Sequence, residues 1–223
     1  SDLRRQRQMC IRDRTHTTPR NIKFSYGGTN NGLVAKFVEF IGKASHAGNS
    51  PEKGINALNA ANIAINAINA QRETFKDDDH IRVHPIITNG GSVVSAVPDS
   101  VKIETFVRGA SIESINDANQ KVDNCLKAGA LATGCKLKIT TIPGYLPIKN
   151  NYELQNIYVT NLKNNFEEKY IVVDNHSGGS TDMGDVSNLI PSIHPYVGGC
   201  KGSSNHANDM VCLLYTSPSP RDR

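Results

Sequence analysis

Between residues 33 and 141 the hydrophobic period switches four times between two and about 3.6 residues, in the order β-α-β-β-α-β, and few folds accommodate that order. Residues 33–41 read as a strand through Val34, Phe37, Val38 and Phe40. A helix is expected to open at Ser50-Pro51-Glu52, because proline is pre-set for the first helical position after a serine. Ile55, Leu58, Ile65 and Ile68 form its apolar stripe, while Asn56, Asn59, Asn62, Asn66 and Asn69 fill the other face. Asparagine is a weak helix former, so packing of the stripe must hold this helix. Residues 81–88 form a second strand in which Pro85 favours an edge or a bulge. In the third, residues 101–107, Val101, Ile103, Thr105 and Val107 alternate with Lys102, Glu104 and Phe106. A second helix covers about 111–132 with the stripe Ile112, Ile115, Ala118, Val122, Cys125 and Leu126. Gly134 stops it, and 136–141 is the fourth strand. This is the ferredoxin-like split βαβ arrangement, an α/β (α+β) module that carries little function by itself.

After Pro143-Gly144 the character changes. Residues 151–168 read as a helix and 171–173 as a short strand. The stretch 176–187, His-Ser-Gly-Gly-Ser-Thr-Asp-Met-Gly-Asp-Val-Ser, is loop-like, and 193–197 is strand-like. Glycines beside Ser, Thr, Asp and His suit a place where backbone approaches a ligand closely.

The net charge is +4, but it sits at the ends. Residues 1–14 hold five arginines against two aspartates, and 212–223 hold two against one, which leaves 15–211 neutral. A nucleic-acid footprint needs clustered Lys and Arg on the folded body, so no nucleic-acid partner is expected. No apolar run approaches the roughly 20 residues of a membrane helix, and no membrane association is expected. The five cysteines lack C-x-x-C spacing, which fits a reducing cytoplasm. Both ends lack hydrophobic period and turn logic. They look like translated sequencing-adapter DNA, so 1–14 and 212–223 are expected to be artefactual tails flanking an internal fragment, 15–211.

His46 lies in Gly42-Lys43-Ala44-Ser45-His46-Ala47-Gly48, where small neighbours would let a substrate approach the imidazole; a histidine in a plain polar loop has the same appearance. With Asn89-Gly90-Gly91, Gly179-Ser180-Thr181-Asp182 and the late Asn205-His206, this segment resembles the M20 family of metal-dependent peptidases and amidohydrolases. The phrases Arg82-Val83-His84-Pro85-Ile86-Ile87 and Ala130-Leu131-Ala132-Thr133-Gly134-Cys135 point to its branch of aminoacylase-1-like dipeptidases and aminobenzoyl-glutamate and amino-acid amidohydrolases.

The resemblance implies a lid, or dimerisation, domain at 34–145 inserted into a metal-dependent α/β hydrolase domain, represented here by 15–33 and 146–211. It implies hydrolysis of an amide bond in a dipeptide or N-acyl amino acid by a cytoplasmic homodimer using Zn²⁺ or Mn²⁺, two ions in the intact protein. His206 and His16 would be metal ligands, and His46 would donate to the reacting carbonyl oxygen of the partner subunit. Arg108 would hold a substrate carboxylate, while Ser180, Thr181 and Asp182 would line the cleft. Asp182 could instead cap the following turn, and Asn89 reads as a turn residue as readily as a substrate contact. Ser95 stands where many relatives have asparagine. The remaining metal ligands and the general base would lie upstream, so the chain alone is expected to be inactive. Two other readings remain: a non-catalytic ferredoxin-like dimerisation or ligand-binding module, and a relative acting on carbamoyl or ureido substrates.

Overall fold

The structure, a computed structural model, describes residues 15–19, 24–203, 209 and 211–212. In chain order the strands are β1 (His16–Thr18), β2 (Phe24–Tyr26), β3 (Gly32–Ile41), β4 (Arg82–Val83), β5 (Ile86–Asn89), β6 (Ser100–Gly109), β7 (Lys136–Pro143), β8 (Ile171–Val173), β9 (Tyr196–Gly198), β10 (Cys200–Lys201) and β11 (Val211–Cys212). The helices are α1 (Ala57–Ala70), α2 (Ile112–Thr133), α3 (Tyr152–Asn165) and α4 (Met183–Leu189). The chain divides into two compact units. One comprises 30–147 with 178–184; the other holds the described residues before 30, 148–177 and those from 185 onward.

In the first unit the strands run β4-β6-β3-β7, with β5 also paired to β6, all antiparallel. Counting β4 and β5 as one interrupted strand, this is the ferredoxin-like order 2-3-1-4. Pro85 stands at the interruption, on the sheet edge where the missing N–H costs no ladder bond. The alternation of β6 is realised in full: Val101, Ile103, Thr105 and Val107 are buried, while Lys102, Glu104 and Phe106 are exposed. Both helices cover that inner face, with Val38 and Phe40 of β3 completing the core. Phe40, Val101, Ile103, Val107 and Leu126 are at most 1% exposed, and each contributes about 1.5–3 kcal/mol by burial.

Helix α2 is capped as its sequence requires. Ser111 and Ser114 form a reciprocal capping box, and Gly134 takes the left-handed conformation (φ 75°) that ends it. Ile112, placed on the stripe by spacing, is exposed.

Helix α1 corrects the expectation in two ways. Ser50-Pro51 starts only a three-residue 3₁₀ turn; the cap of α1 is Asn56, whose Oδ1 accepts from Leu58 N at 2.9 Å and Asn59 N at 3.1 Å. Its buried face is Ala57, Ala60, Ala61, Ala64 and Ile68, with Leu58 and Ile65 only partly buried. The reason is close helix packing: a Cβ on Gly129 of α2 would fall 2.4 Å from the Ala60 carbonyl oxygen, leaving room there only for small side chains.

One core feature is absent from any hydrophobic count. Lys36 points from β3 into the inner face, fully buried, with Nζ 2.5 Å from Asp123 Oδ1 and 2.9 Å from Thr141 Oγ1. A buried ammonium needs such partners to offset its desolvation.

In the second unit a four-stranded mixed sheet runs β1-β9-β2-β8. Asn151 caps α3 by accepting from Leu154 N at 2.9 Å. The stretch 176–187, expected as loop, contains the start of α4. Its Gly184 is forced by packing, since a Cβ there would lie 1.7 Å from the Leu146 carbonyl oxygen.

Candidate active site

The His46 loop is held by backbone pairing. Lys43 bridges Ile55, His46 bridges Ala96, Ala47 N donates to Ser95 O at 2.8 Å, and Val97 N donates to Ser45 O at 2.9 Å. Ser45 Oγ closes the turn on the Ser50 carbonyl at 2.5 Å. Within it, the backbone N–H groups of Gly48 (3.2 Å) and Asn49 (3.0 Å) both donate to His46 Nδ1. A nitrogen that accepts cannot carry the proton of a neutral imidazole, so the proton sits on Nε2. His46 is thereby set as a hydrogen-bond donor through Nε2, on an exposed side chain.

The second feature is a groove of about 710 Å³ on the open face of the first unit's sheet. Arg82, His84 and Ile86 line it from one edge, and Arg108, Phe106 and Glu104 line it from β6. Ala35 and Phe37 come from β3, and Gly178 and Gly179 lie at the arginine end. Arg82 and Arg108 are register partners, and the Arg108 guanidinium lies 5.3 Å from the Phe106 ring centroid. Arg108 thus sits where a carboxylate could take its planar fork.

His46 is not in that groove. Arg108 pairs with Leu33 near the start of β3, while His46 follows its end at Ile41. Eight residue steps lead from Leu33 to Ile41, about 27 Å at 3.4 Å per step. A ligand the size of a dipeptide could not touch both within one copy of this unit.

The remaining candidates are placed as follows. Asn89 Oδ1 accepts from Gly91 N at 3.2 Å, an Asx turn at the exposed end of β5. Thr181 stands at the start of α4: its Oγ1 accepts from Met183 N at 3.3 Å, while its carbonyl accepts from Gly184 N at 3.0 Å. Thr181 Oγ1 also lies 3.3 Å from Asp182 Oδ1. Ser180 Oγ is buried without a hydrogen-bond partner among the described residues. His16 Nδ1 donates to Thr17 O at 2.7 Å, and its ring stacks 5.2 Å from that of Tyr196, with His194 6.1 Å away. His206 lies outside the described residues. Among the described residues no group of three or more His, Cys, Asp or Glu could hold a metal ion. None of their helices is long and apolar enough to cross a membrane.

Sequence reasoning missed Arg82, Glu104, Gly48 and Asn49. Parity along β6 puts Glu104, Phe106 and Arg108 on one face, but only register brings Arg82 opposite Arg108.

This architecture is that of a peptidase dimerisation domain: residues 29–133 match the family model so described. The mouse Xaa-Arg dipeptidase is 37% identical over 190 residues, covering 80% of this chain and 43% of that protein. The human Xaa-Arg dipeptidase is 35% identical over 178 residues, with coverage of 78% and 40%. A tripeptidase structure from Staphylococcus aureus superposes with a TM-score of 0.64 at 22% identity, covering 85% of this chain and 49% of that one. The chain belongs to the M20 family of peptidases and amidohydrolases. It spans less than half the length of the curated relatives it matches.

Proposed function

We propose that the enzyme carrying this chain hydrolyses the amide bond of a dipeptide or N-acyl amino acid, as a homodimer with a bound divalent metal. The names of the curated relatives favour dipeptides ending in arginine. The observation that carries the reading is the tautomer of His46, fixed by Gly48 and Asn49 so that Nε2–H faces outward. A donor fixed in advance stabilises the negative charge that develops on a carbonyl oxygen during attack. Arg108 orients the substrate by its carboxylate. The separation of the two along β3 favours His46 acting on substrate held by a second copy.

Zn²⁺ or Mn²⁺, two ions in the complete site, would supply carbonyl polarisation and an acidified water. The chemistry of His16 fits a ligand: Nδ1–H is engaged by a backbone carbonyl, which orients the ring and leaves Nε2 for a metal. His206 is the second candidate in this chain, and the family resemblance puts the other ligands and the general base upstream.

In the complete enzyme, His46→Ala should lower kcat about 10²- to 10³-fold, the loss typical of one oxyanion donor. Metal content, measured by elemental analysis, should not change. Unaltered turnover would remove His46 from the mechanism.

A further inference from the structure

The sequence contains two Asn-Gly pairs, Asn31-Gly32 and Asn89-Gly90, and both lie in the first unit. Such a pair is chemically labile wherever the glycine N–H can reach the asparagine side-chain amide, because glycine puts no Cβ in the way. The fold treats the two pairs oppositely. Asn31 is fully buried, its Nδ2 donates to the His80 carbonyl at 2.9 Å, and Gly32 pairs with Gly109 in the β3–β6 ladder. Asn89 and Gly90 are exposed. Asn89 Oδ1 accepts from Gly91 N at 3.2 Å, so the side chain folds forward along the backbone past Gly90 N. The same bond polarises its carbonyl and stabilises an oxyanion formed there. Among the described residues Gly90 N donates to no backbone carbonyl. Gly91, at φ 128°, holds a conformation that residues with a side chain rarely adopt.

We propose that Asn89 is a site of spontaneous deamidation and isoaspartate formation, and that the fold protects Asn31 from the same reaction. Gly90 N loses its proton to solvent base and attacks Asn89 Cγ. The new N–Cγ bond closes a succinimide ring, and the Cγ–Nδ2 bond breaks to release ammonia, which takes its last proton from water. One water molecule then opens the ring. Cleavage at Cγ leaves aspartate; cleavage at the backbone carbonyl carbon leaves isoaspartate, in which the chain continues through the side chain. One water is consumed and one ammonia released, with no oxidant or reductant. An aspartate here stands at the register position opposite Lys102, a favourable cross-strand pairing. Isoaspartate adds a backbone carbon at the root of the segment whose Ser95 carbonyl and Val97 N–H hold the His46 loop, so the modification reaches the candidate active site.

The test is peptide mapping by mass spectrometry after the complete enzyme has been incubated in mildly alkaline, oxygen-labelled water, folded in one sample and unfolded by urea in another. In the folded sample Asn89 should convert at least about tenfold faster than Asn31, because Asn31 reacts only after an opening step. Its product should be a mixture of isoaspartate and aspartate carrying one labelled oxygen. In urea the two rates should come close together. A Cβ on Gly90 meets only ordinary contacts, Ile87 Cγ2 at 3.6 Å and Leu58 Cδ1 at 4.0 Å, so Gly90→Ala should fold and should slow the conversion of Asn89 alone. Equal rates in the folded enzyme would overturn the proposal. So would an Asn89 that stays intact there while it converts in urea, an unchanged rate in Gly90→Ala, or aspartate with no isoaspartate.

Discussion

Cys125 lies 5% exposed on the inner face of α2, and desolvation by burial pushes its thiol above the ordinary range. The thiolate is the reactive form, so Cys125 should resist a thiol reagent at pH 8 in the native protein and react once urea unfolds it. Mass spectrometry of the labelled sites reads this out. The linkage has a definite sign. As pH rises through the normal thiol range the unfolded chain ionises first, so this residue makes stability fall with increasing pH. At the same scale, the candidate site was half legible. His46 and Arg108 stand out in sequence because small neighbours and a strand-end guanidinium are local facts. Glu104 looks like any solvent-facing residue of an alternating strand until pairing places it in a groove with two arginines. The state of His46 depends on two backbone N–H groups that sequence does not display.

Elements whose signals are local were readable: the alternation of β6, the start of α2 near Ser111 and its stop at Gly134. What escaped reading depends on neighbours. The alanine face of α1 is set by the close approach of Gly129, and the start of α4 lies in a glycine-bearing stretch whose Gly184 answers to Leu146. Lys36 would count as a solvent-facing interruption of β3, yet parity with Val34, Val38 and Phe40 already puts it on the inner face. Its partner lies 87 residues away on α2. Asp123→Ala should therefore destabilise the first unit by about 3–5 kcal/mol, because it strands a buried ammonium. The double replacement Lys36→Met with Asp123→Leu should recover most of that loss. Urea midpoints of the three proteins decide it; equal midpoints for Asp123→Ala and wild type would show the pair to be idle.

For the whole molecule, the separation of His46 from Arg108 makes a prediction about mixtures. In a symmetric dimer whose sites combine Arg108 of one copy with His46 of the other, His46→Ala and Arg108→Ala homodimers should each be nearly inactive. Subunit exchange between them should restore one complete site per mixed dimer, up to about a quarter of wild-type activity at equal amounts, given random pairing. No recovery, with mixed dimers verified by mass spectrometry, would mean that each chain supplies both residues to its own site. The same separation turns β3 into a ruler. Adding or deleting a pair of residues keeps every side chain on its own face but slides part of β3 against both of its neighbours, β6 and β7. It would also shift His46 relative to Arg108 by about 7 Å. If His46 and Arg108 serve one site in this way, the length of β3 becomes part of the site's geometry as well as of the core's.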